Sequence, residues 1–458
     1  MATRAPLLTR VDVPVDALRT LAATHAVQCP VFLDSAAQGP LTRYSLLAFE
    51  PSAVLLRDAQ GAVTRDGAPV GPGSFVDHLE AWLRADATPR DGGKPLPFMG
   101  GWFVYLSYEV AQEMEPILRL PCADLPYSAF ALRVRHLAVH AHATGRTWAV
   151  SQDGDTATHA RLIEQLETAA AHPAPEPDEN PRIDRWAEEA PEKFLERVRR
   201  TQEHIAAGDV YQVNLSRPWR LRLVPGSDPA LVYPALRRAN PAPFAASVRY
   251  GGMTLLSSSP ERLLEIDGRS ISTRPIAGTR PRTGDPEQDR RDTAELIAHP
   301  KERAEHVMLI DLERNDVGRV CEAGSVRVDE YMVTETYAHV HHIVSNVRGT
   351  LRANANAVDA LRALFPGGTI TGCPKIRCMQ IIAALEGEGR GAYTGSLGWL
   401  GTDGDADFNI LIRTLTMSGT AIELRAGAGI VADSIPEKEL EETRAKARGL
   451  LRAFGAPP

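Results

Sequence analysis

Apolar positions along this chain repeat with two periods, and the switch between them marks the predicted elements. Pro30-Val31-Phe32-Leu33-Asp34-Ser35 predicts a short strand. Arg43-Tyr44-Ser45-Leu46-Leu47-Ala48-Phe49 predicts its partner, across a Gly-Pro turn. Helical spacing follows over 75–83, and Gly100-Gly101-Trp102-Phe103-Val104-Tyr105-Leu106 leads into another element. Residues 130–140 and 148–151 predict a β-hairpin, and 157–170 a helix. His172-Pro173-Ala174-Pro175-Glu176-Pro177-Asp178-Glu179-Asn180-Pro181 is Pro-rich and acidic. It makes 172–184 linker-like, between an N-terminal region (1–171) and a second region (185–458).

The second region opens with a helix over 191–207 that Gly208 ends as a left-handed cap. Asp209-Val210-Tyr211-Gln212-Val213-Asn214-Leu215-Ser216 alternates as a strand with one polar face. Further strands are predicted at 253–258, 262–266, 395–400, 408–415 and 421–425, and helices at 289–299, 300–313, 356–364, 374–385 and 436–454. This order is not a strict βαβ alternation. It predicts an α+β fold of large, mostly antiparallel sheets with helices packed outside.

Composition narrows the class. At 458 residues the chain can bury a large core and form two or three domains. Its 51 basic and 58 acidic residues give a net charge of −7 with no basic block, which argues against nucleic acid. The first residues carry no apolar run of the signal-peptide kind, and no window is long enough to cross a bilayer. The five cysteines are scattered, and Cys373 and Cys378 lack a second ligand pair for zinc. A cytoplasmic protein with reduced thiols is expected.

Candidate chemistry concentrates on two acidic helices. Ser434 with Glu437 reads as a capping box, with Pro436 in the first turn. Glu439, Glu442 and Lys446 then share one helical face. Pro300 opens the other helix, where Glu302 and Glu305 stand three apart. Paired carboxylates on two helices suit a hard divalent cation completed by water and a substrate oxyanion. The plain alternative is two solvated, charge-laced helices. Ala426-Gly427-Ala428-Gly429 is not a dinucleotide fingerprint, because Ile430-Val431-Ala432-Asp433 separates it from the next helix. It is either a cradle for a carboxylate beside Lys446 or a tight turn. Phe365-Pro366-Gly367-Gly368-Thr369-Ile370-Thr371-Gly372-Cys373-Pro374-Lys375 is a Gly/Thr-rich loop before a helix, and no P-loop. In His339-Val340-His341-His342 strand alternation sets His342 opposite His339 and His341. Arg413, inside an apolar run, calls for a partner such as a substrate carboxylate.

Together with Ala207-Gly208-Asp209-Val210-Tyr211-Gln212-Val213-Asn214-Leu215-Ser216, the chain carries Ser258-Ser259-Pro260-Glu261 and Pro275-Ile276-Ala277-Gly278-Thr279-Arg280-Pro281-Arg282. It also carries Asp311-Leu312-Glu313-Arg314-Asn315-Asp316. With the loop and helix above, this ordered set resembles the chorismate-utilising enzymes, which include anthranilate synthase and aminodeoxychorismate synthase. The resemblance spans nearly the whole chain. It implies two large antiparallel sheets packed face to face, joined by the N-terminal strands. It implies Mg²⁺ held by Glu305 and Glu442, supported by Glu302 and Glu439, gripping the ring carboxylate of chorismate and labilising the C4 hydroxyl. By the same likeness His342 serves that hydroxyl and Glu261 lies near the amination site. Thr369, Gly427, Ala428 and Gly429, helped by Lys446, bind the ring carboxylate, and Tyr393 and Arg413 bind the enolpyruvyl carboxylate.

The implied reaction is amination of chorismate, with ammonia from a separate glutamine amidotransferase subunit. Phe32-Leu33-Asp34-Ser35-Ala36, Ile370-Thr371-Gly372-Cys373-Pro374-Lys375 and Asp407-Phe408-Asn409-Ile410-Leu411-Ile412-Arg413-Thr414 resemble the folate-branch members, which aminate C4. Ala277 points the other way. Many of those members carry a nucleophilic lysine there, whereas anthranilate synthases, which aminate C2 and eliminate pyruvate, carry alanine. Phe32-Leu33-Asp34-Ser35 stands where the other branch carries a tryptophan-sensing Leu-Leu-Glu-Ser motif; the departure argues against feedback inhibition, and Leu33, Asp34 and Ser35 are the regulatory candidates. A non-catalytic chorismate-binding subunit is the reading from another class.

Overall fold

The computed structural model describes residues 5–37, 39, 41–90, 93–174, 179–336 and 340–455. Two sheets, each of twelve strands among these residues, account for most of the chain. One runs from Leu7–Val11 at its edge through Val31–Asp34, Phe244–Tyr250, Met253–Ser259 and Thr414–Ser418 to Ala421–Ile430, Gln212–Leu223 and Ile183–Glu188. The other runs from Ile276–Pro281 and Val340–Thr350 through Arg262–Asp267, Ala406–Asn409, Ser396–Gly401 and Gly101–Leu106 to Ala68–Pro69. The described strand pairings are antiparallel. Strands from before and after the Pro-rich segment lie side by side in both sheets.

The sheets pack face to face because their strands are apolar on both sides. Phe103 and Tyr105 turn inward to meet Phe130, Leu132, Val139 and Leu255. From the same strand Trp102, Val104 and Leu106 turn outward, under Phe75–Ala85 and Ala357–Leu364. The outer face of the first sheet is covered by Val15–Thr24, Thr156–Ala171, Val232–Ala239 and Pro436–Leu451. The architecture is therefore α+β, with a double sheet between helices. No described helix is long and apolar enough to cross a membrane.

Four local expectations change. Residues 130–140 are not one strand: Tyr127–Val134 belongs to the second sheet and His136–Ala141 to the first, so the hairpin joins His136–Ala141 to Arg146–Ser151. Residues 408–415 likewise divide into Ala406–Asn409 and Thr414–Ser418, in different sheets. Ala426-Gly427-Ala428-Gly429 is neither turn nor loop but the body of the strand Ala421–Ile430. The Ser434 capping box does not form: Ile435 is the N-cap, and the Ser434 hydroxyl instead accepts from Val431 N–H at 3.0 Å. Apolar alternation reads continuously through a sheet crossing when both sheets are buried, so periodicity cannot mark the break.

Candidate active site

Two crossings between the sheets build the centre of the site. The chain passes from Met253–Ser259 to Arg262–Asp267 through the Pro260-Glu261 corner, and from Ala406–Asn409 to Thr414–Ser418 through 410–413. The crossings run together. Ile410 N–H donates to Glu261 O at 3.0 Å, Ser259 Oγ to Ile410 O at 2.5 Å, and Ser258 N–H to Arg413 O at 3.0 Å. Hence Glu261 and Arg413 are neighbours between the sheets, and Arg413 is not a strand residue as its apolar flanks predicted. Its φ of +50° is a left-handed conformation that costs a non-glycine residue about 1 kcal/mol, the kind of strain found at functional sites.

Glu261 is only 5% exposed. Burial pushes its pKa up to about 7, against the opposing pull of a hydrogen bond from Thr369 and the charges of Lys446 and Arg413. Thr369 Oγ1 donates to Glu261 Oε1 at 2.6 Å. Thr369 lies in the short 3₁₀ turn Gly368–Ile370, whose first N–H donates to Glu313 Oε1 at 3.2 Å. Glu313 is itself buried and pushed up to about 7. His342 sits in Val340–Thr350 opposite Thr279 and is 3% exposed. Burial, then the charge of Arg413, lowers its pKa to about 3, so the imidazole is neutral at physiological pH. It can donate an N–H or accept a hydrogen bond there, but it is no cation.

The strand Ala421–Ile430 forms the other wall. From Arg425 onward it keeps Gln212–Leu223 on one side, while Thr414–Ser418 reaches only as far as Leu424. Gly427 and Gly429 share a face there. A Cβ on Gly427 would lie 2.7 Å from Tyr393 Oη and 2.8 Å from Asn214 Oδ1; one on Gly429 would lie 2.4 Å from Gln212 Nε2 and 3.6 Å from Glu305 Oε1. These glycines let Tyr393, Asn214 and Gln212 close directly on the strand backbone. Ala428, between them, points into the apolar layer under Lys375–Glu386. Lys446 reaches the same strand from Pro436–Leu451, donating to Gly427 O at 2.9 Å and pairing with Glu442 at 2.8 Å.

Of the four predicted metal glutamates, Glu305 reaches this wall at Gly429 and Glu442 pairs with the lysine that bonds it at Gly427. Glu305 Oε1 accepts from Gln212 Nε2 at 2.7 Å, and Glu302 pairs with Arg280 at 3.5 Å. Glu439 lies one turn before Glu442 on the helix that carries Lys446. Among the described residues no three acids, histidines or cysteines form a metal cluster by themselves. The donor set is all carboxylate, which suits a hard cation that keeps water or substrate oxygens in its shell.

The structure thus brings together Glu261, Thr369, His342, Arg413, Tyr393, Gly427, Gly429 and Lys446, with Glu305 against Gly429. It sets Leu33, Asp34 and Ser35 elsewhere, on the wall of a cavity of about 420 Å³ also lined by Arg43, Lys94 and Asp407. Asp34 there accepts from Arg237 at 2.9 Å and Tyr233 at 3.2 Å. Ala277 stands opposite Ile343 in the second sheet; its side chain, like His339, lies outside the described residues. Sequence reasoning gave no role to Gln212, Asn214 or Arg390. Arg390 carried only a faint signal, a cation four residues after Glu386 in the Gly/Glu-rich segment that follows a helix.

A model of chorismate binding enzymes matches residues 30–452. Anthranilate synthase component 1 of Streptomyces coelicolor is 40% identical over 494 residues, covering 99% of this chain and 94% of that one. Aminodeoxychorismate synthase component 1 of Bacillus subtilis is 39% identical over 448 residues, covering 93% and 91%. The crystal structure of anthranilate synthase component I from Streptococcus pneumoniae superposes with a TM-score of 0.79 at 31% identity, covering 89% of this chain and 92% of that one. With two packed antiparallel sheets and a match over most of its length, the chain belongs to the family of chorismate binding enzymes.

Proposed function

We propose that the chain aminates chorismate, using ammonia released by a glutamine amidotransferase partner. The observation that carries this reading is Glu261: a buried carboxyl with a pKa of about 7, hydrogen-bonded by Thr369 and near the cations Arg413 and Lys446. A group at that pKa can take a proton from an incoming nitrogen and return it near neutrality. Two separated cations suit a ring with two carboxylates. The ring carboxylate would lie along Gly427 and Gly429 beside Lys446, and the enolpyruvyl carboxylate between Tyr393 and Arg413. Neutral His342 would hydrogen-bond the departing hydroxyl. Glu305 and Glu442, supported by Glu302 and Glu439, would hold Mg²⁺, which when bound polarises the ring carboxylate and eases loss of the hydroxyl.

The first reading of the product is 4-amino-4-deoxychorismate, supported by the folate-branch wording around Asp34, Cys373 and Asn409. The second is anthranilate, favoured by Ala277, since alanine offers no nucleophile to protect C2. Chorismate, Mg²⁺ and ammonium, followed by fluorescence, separates them. The first reading predicts no anthranilate with or without a lyase, 4-aminobenzoate once a lyase that releases it is added, and no turnover after chelation. Anthranilate without the lyase would overturn it in favour of the second. No turnover at all would favour a chorismate-binding subunit.

Gly427→Ala tests the close packing of Tyr393 and Asn214 on this strand. The added methyl would stand 2.5 Å from Leu215 O as well as against Tyr393 and Asn214. The expected cost is about 1–3 kcal/mol of stability and at least a ~10-fold fall in kcat/KM, read by thermal melting and initial rates.

A further inference from the structure

We propose that Arg390 is a positioning residue whose single guanidinium fixes three walls of the site at once. Its side chain is fully buried behind Tyr393. Nη2 donates to Asn214 O at 2.7 Å, on the strand that also carries Gln212. Nη1 donates to Ile370 O at 3.3 Å, one residue after Thr369, and to Thr394 Oγ1 at 3.4 Å. The guanidinium lies 5.6 Å from the Tyr393 ring centroid and 5.0 Å from that of Tyr108, within cation–π range of both.

Glu386 locks this fork in place. It accepts from Arg390 Nε at 3.0 Å and Nη2 at 2.6 Å, and also from Ser216 N–H at 2.8 Å and Arg425 Nη2 at 3.1 Å. The backbone is held too, because Arg390 and Gly391 N–H both donate to Glu109 Oε1, at 2.7 and 3.0 Å. A buried charge pair is a weak source of stability. Here it spans segments distant in sequence that hold Gln212, Thr369 and Tyr393. Only a planar fork with several donors meets carbonyls on different strands and a carboxylate together; an ammonium cannot.

Arg390→Lys keeps the charge and loses the fork. Releasing Ile370 O lets the Thr369 turn move, so Thr369 no longer donates to Glu261. The carboxyl ¹³C signal of Glu261, assigned by its loss in Glu261→Gln, is then expected to titrate higher than in the parent, in the direction set by Thr369→Val. The catalytic consequence rests on the function proposed above: kcat/KM for chorismate is expected to fall about 10²-fold. If Arg390→Lys does not fold, Glu386→Gln/Arg390→Gln neutralises the pair, leaves Arg425 its second carboxylate on Glu388 at 2.9 Å, and carries the same test. Unchanged Glu261 titration and unchanged kcat/KM, with only a lower Tm, would overturn the proposal, as would failure of both variants to fold. A parent inactive on chorismate would sink the proposed reaction, while the Glu261 titration would still decide the role of Arg390.

Discussion

Glu261→Gln is expected to abolish useful turnover, lowering kcat by ~10²–10⁴, and to leave the folded protein more stable than the parent at pH 8. The two effects share one cause. In the unfolded chain Glu261 titrates near 4.5, and in the folded chain near 7. Between those values the folded state holds a proton that the unfolded state has released. Its contribution to stability is therefore fully present below pH 4.5 and is lost as pH rises through 7. Above pH 7 the native protein carries a desolvated anion that glutamine lacks. The separation of the two values sets an upper bound of about 3 kcal/mol on the gain. Melting curves at pH 5 and pH 8 test this: the variant is expected to gain at pH 8 and little at pH 5. A slope with pH remains, because Glu313 is raised in the same way. A variant that melts lower at pH 8, or retains parent kcat, would contradict the assignment of Glu261.

Arg413→Gln is expected to raise KM for chorismate by ~10²-fold, because a charge-assisted contact to a carboxylate contributes about 1.5–3 kcal/mol. It also removes a cation that opposes protonation of both Glu261 and His342. Both groups are then expected to titrate at higher pH, which moves the acid limb of kcat/KM upward. Initial rates against chorismate between pH 5 and 9 measure both effects. Unchanged KM, with only a loss of stability, would make Arg413 a structural residue. Its left-handed backbone and its position between crossings argue against that.

The sequence carried the fold class because most strands and helices have unambiguous periods. Phe75–Ala85 has its helical spacing and a Ser74/Asp77 capping box, and Gly208 is the left-handed residue after Pro191–Ala206, at φ +80°. Periodicity was silent where the chain changes sheet. At Arg135 and over 410–413 apolar alternation continues while the strand ends, and Arg413 occupies the second of these breaks. The glycines at 427 and 429 looked like a turn because strands rarely tolerate them; tertiary context kept the strand, and their bare backbone faces Tyr393 and Gln212. Spacing marked Glu302, Glu305, Glu439 and Glu442 as faces of two helices, but not the strand between them. Arg390 was missed because a buried arginine is recognised by its partners, and Asn214 and Ile370 are remote from it in sequence.

Calorimetric titration of chorismate into Glu261→Gln, and into Glu261→Gln/Arg413→Gln, tests the central claim most directly. Glutamine keeps the Thr369 contact and stops turnover, so the ring can be weighed at rest. The site described here predicts that the single variant binds chorismate and that the double variant binds it at least ~30-fold more weakly. Equal affinity in the two, or no binding by the single variant, would contradict a site in which these groups face the substrate.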